Sequence, residues 1–182
     1  MNKTEALKKL EKKIASCKLC REHGIGKMVF GEGSVDAEVM FVGEAPGKNE
    51  AREGKPFIGR SGKLLRSLIR EVGLKEEDVY ITSPIKYLPE YGTPKPQDIE
   101  HAKPYFNKQI EIINPKLIVL LGSVAAQAVL GEKIPTLKNH GTIVEKNGRK
   151  YFLTLHPAAA LRFQKFKSLL IQDFSHLAKL MR

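Results

Sequence analysis

Short, almost wholly apolar runs alternate with segments of helical periodicity along this chain, and no other feature constrains the fold more. The runs EVMFV (38–42), DVYIT (78–82) and KLIVLLG (116–122) predict buried strands. Apolar side chains three and four positions apart predict helices over 3–19, 60–72, 97–113, 123–130 and 163–181. Strands separated by helices indicate an α/β fold, a three-layer αβα sandwich with a mostly parallel central sheet.

Turn and breaker residues refine this prediction. The segments GTIVEK and RKYFLTLH flank Asn147-Gly148, a dipeptide typical of a two-residue hairpin turn. A proline-rich stretch from Pro84 to Pro96 predicts an irregular segment. Because the 182 residues contain no internal repeat and no low-complexity linker, residues 1–182 are predicted to form a single domain.

The chain is strongly basic, with 31 Lys and Arg against 20 Asp and Glu and a formal net charge of +11. This excess favours a polyanionic partner, nucleic acid first and an anionic membrane surface second. A generic basic surface that aids solubility is the alternative. No apolar run approaches the roughly 20 residues that cross a bilayer, and the N-terminus lacks the apolar core of a secretory signal. We therefore expect a cytoplasmic protein without a membrane partner.

Unusual loops follow the predicted strands, and parallel strands bring such loops to one edge of the sheet. In GEAPGKNE, Gly43 and Gly47 enclose three residues where a nucleotide-binding P-loop has four. Asn49 also stands where that loop has a magnesium-binding Ser or Thr, which disfavours NTPase activity. Glu44 and Glu50 are left as carboxylates that can orient water or act as a general base, or that lie on a solvated acidic loop.

Two other loops present side chains suited to binding a base. Phe57, in GKPFIGRSG, can stack on a planar ligand, although core packing is the commoner fate of a phenylalanine. His156, in TLHPAAALR, can donate a hydrogen bond to developing negative charge, or serve only the local structure. Cations cluster around the first two loops, namely Lys48, Arg52, Lys55, Arg60, Lys63, Arg66, Arg70 and Lys75.

Four motifs follow one another along the chain, namely VGEAPGKNEAREGKPFIGRSGKLL, VYITSPIKY, INPKLIVLLGSVAAQAVLG and TLHPAAALR. In this order they resemble the family 4 uracil-DNA glycosylases, DNA repair enzymes that usually contain an iron–sulfur cluster. The resemblance runs from about Cys17 to the C-terminus. It implies a monofunctional hydrolase that flips uracil out of DNA and cleaves its N-glycosidic bond. The implied partner is uracil-containing DNA, single- or double-stranded, bound by a monomer.

The resemblance also assigns roles to individual residues. Glu44 belongs to the water-activating motif, Glu50 is a second functional carboxylate, and His156 bonds to O2 of uracil. Phe57 stacks on the extruded base. The further implied substrate-binding residues are Gly43, Ala45, Pro46, Gly47, Ser83 and Pro157. The implied DNA-binding residues are Lys48, Arg60, Lys63, Ala158, Ala159, Ala160, Leu161 and Arg162, of which the AAALR segment enters the minor groove.

The cluster motif departs from the family pattern. Cys17 and Cys20 match the first two of four cysteines, but Tyr87 and Ala102 occupy the third and fourth positions. We therefore expect no intact 4Fe-4S cluster, and base cleavage needs no cofactor. Two reduced thiols are the favoured interpretation, and zinc on Cys17, Cys20 and a histidine is the alternative. The candidate histidines are His23 and His101.

The position that is expected to read the base also departs from the family pattern. Ser83 follows YIT where the family usually has an asparagine, and a hydroxyl cannot present the paired donor and acceptor of an amide. Selectivity for uracil is therefore expected to be looser, with other deaminated bases conceivable. A catalytically weak relative that binds damaged or single-stranded DNA is the first alternative function, and a small-molecule nucleotide-binding protein is the second.

Overall fold

Helices and strands alternate along the chain in the computed structural model, which describes residues 2–181. The helices are α1 (Lys3–Ala15), α2 (Lys18–Glu22), α3 (Lys48–Glu53), α4 (Arg60–Glu71), α5 (Pro96–Ile113), α6 (Ser123–Leu130), α7 (Thr136–Asn139), α8 (Pro157–Arg162) and α9 (Gln164–Leu180). The strands are β1 (Gly24–Ile25), β2 (Glu32–Gly33), β3 (Val39–Val42), β4 (Tyr80–Thr82), β5 (Leu88–Pro89), β6 (Leu117–Leu121), β7 (Thr142–Lys146) and β8 (Arg149–Thr154). Within residues 2–181, no helix combines the length and apolar character needed to cross a bilayer.

A six-stranded sheet in the order β2-β4-β3-β6-β8-β7 forms the centre of the fold. Its four inner strands run parallel to one another, while the edge strands β2 and β7 are antiparallel to their neighbours. All residues of β3 and β6 are buried, as expected of strands covered on both faces. The predicted mostly parallel sheet is therefore confirmed.

Each face of the sheet is covered by helices, which completes the three predicted layers. Met40 and Val42 belong to a hydrophobic cluster with apolar side chains of α1, α5 and α6. Val39 and Phe41 point to the opposite face, into a cluster formed with α4, α8 and α9. There the ring of Phe41 stacks on that of Phe174, with 5.9 Å between centroids. Because side chains alternate along a strand, the four residues of β3 anchor both helical layers.

The hairpin predicted at Asn147-Gly148 connects β7 to β8. Both turn residues have positive φ, 51° for Asn147 and 72° for Gly148. Asparagine and glycine tolerate this conformation better than other residues, and a turn of this kind matches the twist of the flanking strands. The sequence signal for the hairpin is thus confirmed.

The first helix, the last helix and the proline-rich stretch differ from their predictions. The helix expected over 3–19 ends at Ala15, because the Ser16 hydroxyl bonds to the Lys13 carbonyl at 3.0 Å and Cys17 is extended. The final helix begins only at Gln164, because Phe163 is extended and separates it from α8. The proline-rich stretch is mostly irregular but contains β5, which pairs with β1.

Candidate active site

The loops that follow β3, β4 and β8 meet at one edge of the sheet, because these strands are parallel. The Gly43 N–H donates to the Thr82 carbonyl at 2.9 Å, which joins the ends of β3 and β4. A cavity of about 140 Å³ lies between the loops and is lined by Val29, Ala45, Pro46, Gly47, Glu50, Pro56, Phe57, Ser61, Ser83 and His156. The predicted site residues Gly43, Glu44 and Pro157 lie within two positions of a lining residue. Side chains from distant parts of the sequence therefore converge on one small pocket.

The aromatic wall of this pocket is a phenylalanine in an unusual conformation. Phe57 has φ of 50°, a left-handed value that side chains other than glycine rarely adopt. A Cβ atom on Gly43 would lie 2.5 Å from Phe57 Cζ and would displace the ring, and Gly62 packs on the Phe57 backbone. Arg66 donates to the carbonyls of Phe57 at 2.9 Å and Pro56 at 2.8 Å. Strain held in place by its surroundings is typical of functional sites.

Arg66 stabilises this loop, so its charge does not contribute to an open basic surface. Its guanidinium also contacts Glu32 at 2.5 Å and Glu76 at 2.6 Å, and its side chain is only 16% exposed. Arg70 pairs with Glu76 as well, and Arg52 pairs with the carboxylate next to it in sequence. The basic excess around the pocket is therefore smaller than a count of lysines and arginines indicates.

His156 forms the opposite wall and is held as a neutral donor. Its Nδ1 atom accepts a hydrogen bond from the Ala158 N–H at 3.1 Å, where it caps α8. Because Nδ1 accepts, the ring proton of the neutral form resides on Nε2. Burial lowers the pKa of His156 to about 4. The imidazole centroid lies 6.1 Å from that of Phe57, with 30° between the ring planes.

The two predicted carboxylates lie in different environments. Glu50 Oε1 accepts hydrogen bonds from the N–H groups of Ile58 at 2.9 Å and Gly59 at 2.8 Å, next to the start of α4. It thereby joins α3 to the loop that carries Phe57. Glu44 is half-buried in the loop after β3, and burial raises the pKa of its carboxyl group. A raised pKa makes Glu44 the stronger proton acceptor when ionised.

Ser83 lies buried at the end of β4 and lines the pocket. Its hydroxyl donates to the Ile85 carbonyl at 2.7 Å, within its own loop. The hydroxyl proton is therefore occupied, and the oxygen lone pairs are what the side chain can offer to a ligand.

A buried lysine behind the pocket is a site feature that the sequence reasoning missed. The ammonium of Lys86 contacts Ser83 O at 2.6 Å, Gln109 Oε1 at 2.6 Å, Thr82 Oγ1 at 2.7 Å and Phe30 O at 3.0 Å. Burial lowers the pKa of Lys86 well below its ordinary value, while these four acceptors favour the charged form. In the sequence, the signal for this lysine is its position among apolar residues, four positions after the end of the buried strand β4. Lys86 fixes the backbone of Ser83 in the pocket wall.

The surface beside the pocket combines exposed apolar and cationic side chains. Leu161 is 41% exposed and Arg162 is also exposed, whereas Ala160 is buried and packs α8 against α4 and α9. Phe163 is 57% exposed and precedes the last helix, which the apolar spacing predicts to begin at this residue. Its ring meets Phe166 edge to face. The predicted cations Lys48, Arg60 and Lys63 are exposed and form no ion pair within residues 2–181.

A second cluster of chemically active side chains lies away from this pocket. The Cys17 and Cys20 sulfurs lie 3.1 Å and 3.3 Å from His101 Nε2. His23, the other candidate histidine, instead contacts Asp98 through Nδ1 at 2.9 Å. The fold thus selects His101 from the two candidates.

The chain is thus a three-layer α/β protein with a small pocket at the strand ends, between the rings of Phe57 and His156. The uracil DNA glycosylase superfamily profile matches residues 30–177. The chain is 37% identical over 190 residues to a Type-4 uracil-DNA glycosylase of Sulfurisphaera tokodaii, covering 97% of this chain and 85% of that one. It is 38% identical over 162 residues to a Type-4 uracil-DNA glycosylase of Thermotoga maritima, covering 87% and 84%. The chain therefore belongs to the uracil-DNA glycosylase superfamily.

A more distant relative helps to place the chain within that superfamily. A Type-5 uracil-DNA glycosylase of Pyrobaculum aerophilum is 28% identical over 151 residues, covering 73% of this chain and 66% of the relative. The higher identity and longer coverage of the Type-4 relatives agree with the four motifs, and the resemblance expected from those motifs is confirmed.

Proposed function

We propose that this chain is a uracil-DNA glycosylase that hydrolyses the bond between uracil and deoxyribose and leaves an abasic site. The observation that carries this proposal is the small cavity between Phe57 and His156 at the strand ends. Its volume of about 140 Å³ is well below the roughly 300–1,000 Å³ of pockets that enclose drug-sized ligands. A single pyrimidine ring suits this space better than a whole nucleotide, which argues against a small-molecule nucleotide-binding protein.

Entry of a base into this pocket requires that the nucleotide leave the DNA stack. Extrusion costs a few kcal/mol, which stacking on an aromatic ring helps to offset. Phe57 supplies that ring, and its constrained backbone means that little further ordering is needed when the base arrives. Leu161 and Phe163 are the exposed apolar side chains that we propose occupy the space left in the duplex.

We propose that His156 stabilises the departing base. As the bond from C1′ to nitrogen breaks, its electron pair moves onto the uracil ring and its O2 atom. A neutral imidazole can donate its Nε2 proton in a hydrogen bond to that oxygen. A preorganised donor of this kind contributes about 10²–10³-fold to rate in other enzymes.

Water is the proposed nucleophile. Its oxygen attacks C1′ of a sugar with oxocarbenium character while Glu44 accepts a proton. Glu50 acts as a positioning residue, because its hydrogen bonds to Ile58 and Gly59 hold the loop of Phe57. The step uses water and residues of this site, so we propose that it requires no cofactor. It leaves the DNA strand uncut and makes the enzyme monofunctional.

The DNA contact surface is proposed to extend from the pocket over the start of α4 and the end of α8. Lys48, Arg60, Lys63 and Arg162 are exposed cations that can neutralise phosphates. We propose that residues 1–182 act as one domain and as a monomer in the cytoplasm, on single- or double-stranded DNA.

The test is incubation with oligonucleotides that carry one uracil, single- or double-stranded, followed by alkaline cleavage of abasic sites. We expect cleavage at uracil only after treatment with the protein, and none in a thymine control. Absence of cleavage at uracil in both single- and double-stranded substrates would contradict the proposed enzymatic activity. Binding without base release would instead support the catalytically weak DNA-binding relative.

Base selectivity is tested with hypoxanthine and xanthine substrates beside uracil. The proposal is that Ser83 reads the base less stringently than an amide does, within a space that favours a single ring. Ser83→Asn should then increase discrimination between uracil and the other deaminated bases. Equal discrimination by Ser83→Asn and the parent protein would contradict this role for Ser83.

A further inference from the structure

The side chains of this chain do not fit the four-iron cluster that is usual in family 4. A 4Fe-4S cluster takes four cysteine thiolates, one for each iron, and this chain has two cysteines. The other two positions hold Tyr87 and Ala102, both buried. Alanine offers no ligand atom at all. The cluster therefore has no complete ligand set.

The three donor atoms that are present instead converge on a single point. Cys17 Sγ, Cys20 Sγ and His101 Nε2 all lie within 4.8 Å of one another. The sulfurs are 3.1 Å and 3.3 Å from the nitrogen. Around one tetrahedral zinc ion, with bonds of about 2.3 Å to sulfur and 2.0–2.1 Å to nitrogen, this spacing would be roughly 3.6 Å. The two sulfur–nitrogen distances therefore need to lengthen by only a few tenths of an ångström to accommodate one ion.

We propose that Cys17, Cys20 and His101 bind one zinc ion in place of the iron–sulfur cluster. Two thiolates and an imidazole are a donor set that zinc prefers, in the Cys-x-x-Cys spacing of structural zinc sites. The fourth position of the tetrahedron is taken by water, which a cavity of about 200 Å³ beside Cys20 and His101 can admit. His23 is not among the ligands, because only Cys17, Cys20 and His101 bring their donor atoms within 4.8 Å of one another in the described part of the chain.

The local structure around the two cysteines gives an independent reason for an ion here. Helix α2 has five residues, none of them buried, and its N-cap Cys17 makes no side-chain capping bond. A helix of this length has little stability of its own. Leu19 within it is half exposed and adds little packing. Coordination would connect α2 to α5 across more than 80 residues of sequence and supply the missing anchor.

Metal analysis of the purified full-length protein tests the proposal directly. We expect one zinc per chain, iron far below one per chain, and no broad visible absorption of an iron–sulfur cluster. Cobalt(II) added to the metal-free protein should produce thiolate charge-transfer and tetrahedral d–d bands. Four irons per chain, or a metal-free protein with two free thiols or a Cys17–Cys20 disulfide, would each overturn the proposal.

Histidine variants separate this site from other zinc-binding surfaces. His101→Ala should weaken zinc binding by more than about 100-fold, because loss of outer-shell partners alone costs about 10–100-fold. His23→Ala is the matched control and should bind zinc like the parent. If His101→Ala does not fold, His101→Cys supplies a replacement thiolate and should retain one zinc. Unchanged zinc affinity in His101→Ala, or loss of zinc in His101→Cys, would refute the site.

The readout is independent of the proposed function. Zinc content and cobalt spectra do not require base cleavage, so an inactive protein can still carry the site. Conversely, a protein that purifies without zinc and still releases uracil would leave the proposed function intact and overturn only this inference. A chelator should lower the thermal midpoint of the parent and of His23→Ala, but leave that of His101→Ala unchanged.

Discussion

At the residue scale, the environments of single titratable groups determine the chemistry. Glu44 lies in the loop after β3, and Glu50 lies on α3, the helix that follows this loop. Burial raises the pKa of Glu44, whereas Glu50 accepts hydrogen bonds from two backbone N–H groups. His156 is neutral because charging it in the pocket wall is costly. Residue type alone therefore identifies these residues as candidates, and their surroundings support the proposed roles of Glu44 as proton acceptor, Glu50 as positioning residue and His156 as neutral donor.

Glu44→Gln should reduce the rate of uracil release by about 10²–10⁴-fold, because glutamine cannot accept a proton from water. In the parent, activity should fall as the pH drops through the raised pKa of Glu44, since protonation removes the base. Single-turnover rates across acidic pH measure both effects. Glu53→Gln, an exposed neighbour on α3, is the control and should match the parent. A Glu44→Gln rate within about threefold of the parent would exclude the general-base role.

His156 also makes stability depend on pH. Its folded pKa of about 4 is below the ordinary 6.5, so the neutral form is favoured in the fold. The stability contribution is fully present above pH 6.5 and is lost as the pH falls towards 4, by up to about 3 kcal/mol. Urea unfolding should reveal that the free energy of unfolding falls less over this pH range in His156→Asn, where asparagine can still cap α8. His176→Asn, on the exposed side of α9, should retain the loss seen in the parent.

At the scale of elements, the pocket is stabilised by contacts made from behind it. Arg66 on α4 holds the loop of Phe57 through two carbonyls, and Lys86 holds the end of β4 through Ser83. Both cations are surrounded by acceptors rather than exposed to solvent. The loops at the strand ends are thus connected to the core by buried polar side chains, which explains how irregular segments keep a defined pocket.

Lys86→Met should lower the free energy of unfolding by about 3 kcal/mol, because the carbonyls and amide oxygen around the ammonium lose their donor. It should also slow uracil release, since the backbone of Ser83 is no longer held. Denaturant unfolding and single-turnover assays on the same preparation test both. Lys167→Met, an exposed lysine of α9, should change stability by less than about 0.5 kcal/mol. Unchanged stability in Lys86→Met would mean that the hydrogen bonds of Lys86 contribute nothing to the free energy of unfolding.

At the scale of the whole molecule, the cations behind the net charge of +11 differ in whether they are free to contact DNA. Arg66, Arg70 and Arg52 are compensated by carboxylates, whereas Lys48, Arg60 and Lys63 are exposed beside the pocket. Long-range attraction of DNA depends on the total charge, but neutralisation of individual phosphates depends on the free cations near the site.

Replacing Lys48, Arg60 and Lys63 by glutamine should weaken DNA binding and flatten its dependence on salt. The slope of log affinity against log salt should fall by up to about 0.9 for each phosphate of duplex DNA that is no longer neutralised. Fluorescence anisotropy at several salt concentrations, in a Glu44→Gln background that leaves the substrate intact, measures the slope. A triple glutamine variant at Lys8, Lys9 and Lys12 removes the same charge from exposed positions of α1. An equal change in both triple variants would indicate general attraction instead of specific binding of phosphates.

The sequence alone predicted the layered fold, the parallel strands, the hairpin turn and the loops that form the pocket. These features follow from apolar periodicity and from the preferences of glycine, proline and asparagine, which act over a few neighbouring residues. The end of the first helix at Ala15 was not predicted, because Cys17 is extended although the helical spacing of apolar side chains continues past it.

Only the tertiary structure decided which side chains meet across long separations. His101 comes to Cys17 and Cys20 from α5, Arg66 is surrounded by carboxylates, Lys86 is buried, and Phe163 remains exposed. Residue patterns report the local conformation of the chain, whereas burial and pairing depend on how helices pack on the sheet. The local sequence therefore supplies the residues of both proposed sites, and the packing of helices on the sheet decides how those residues are arranged.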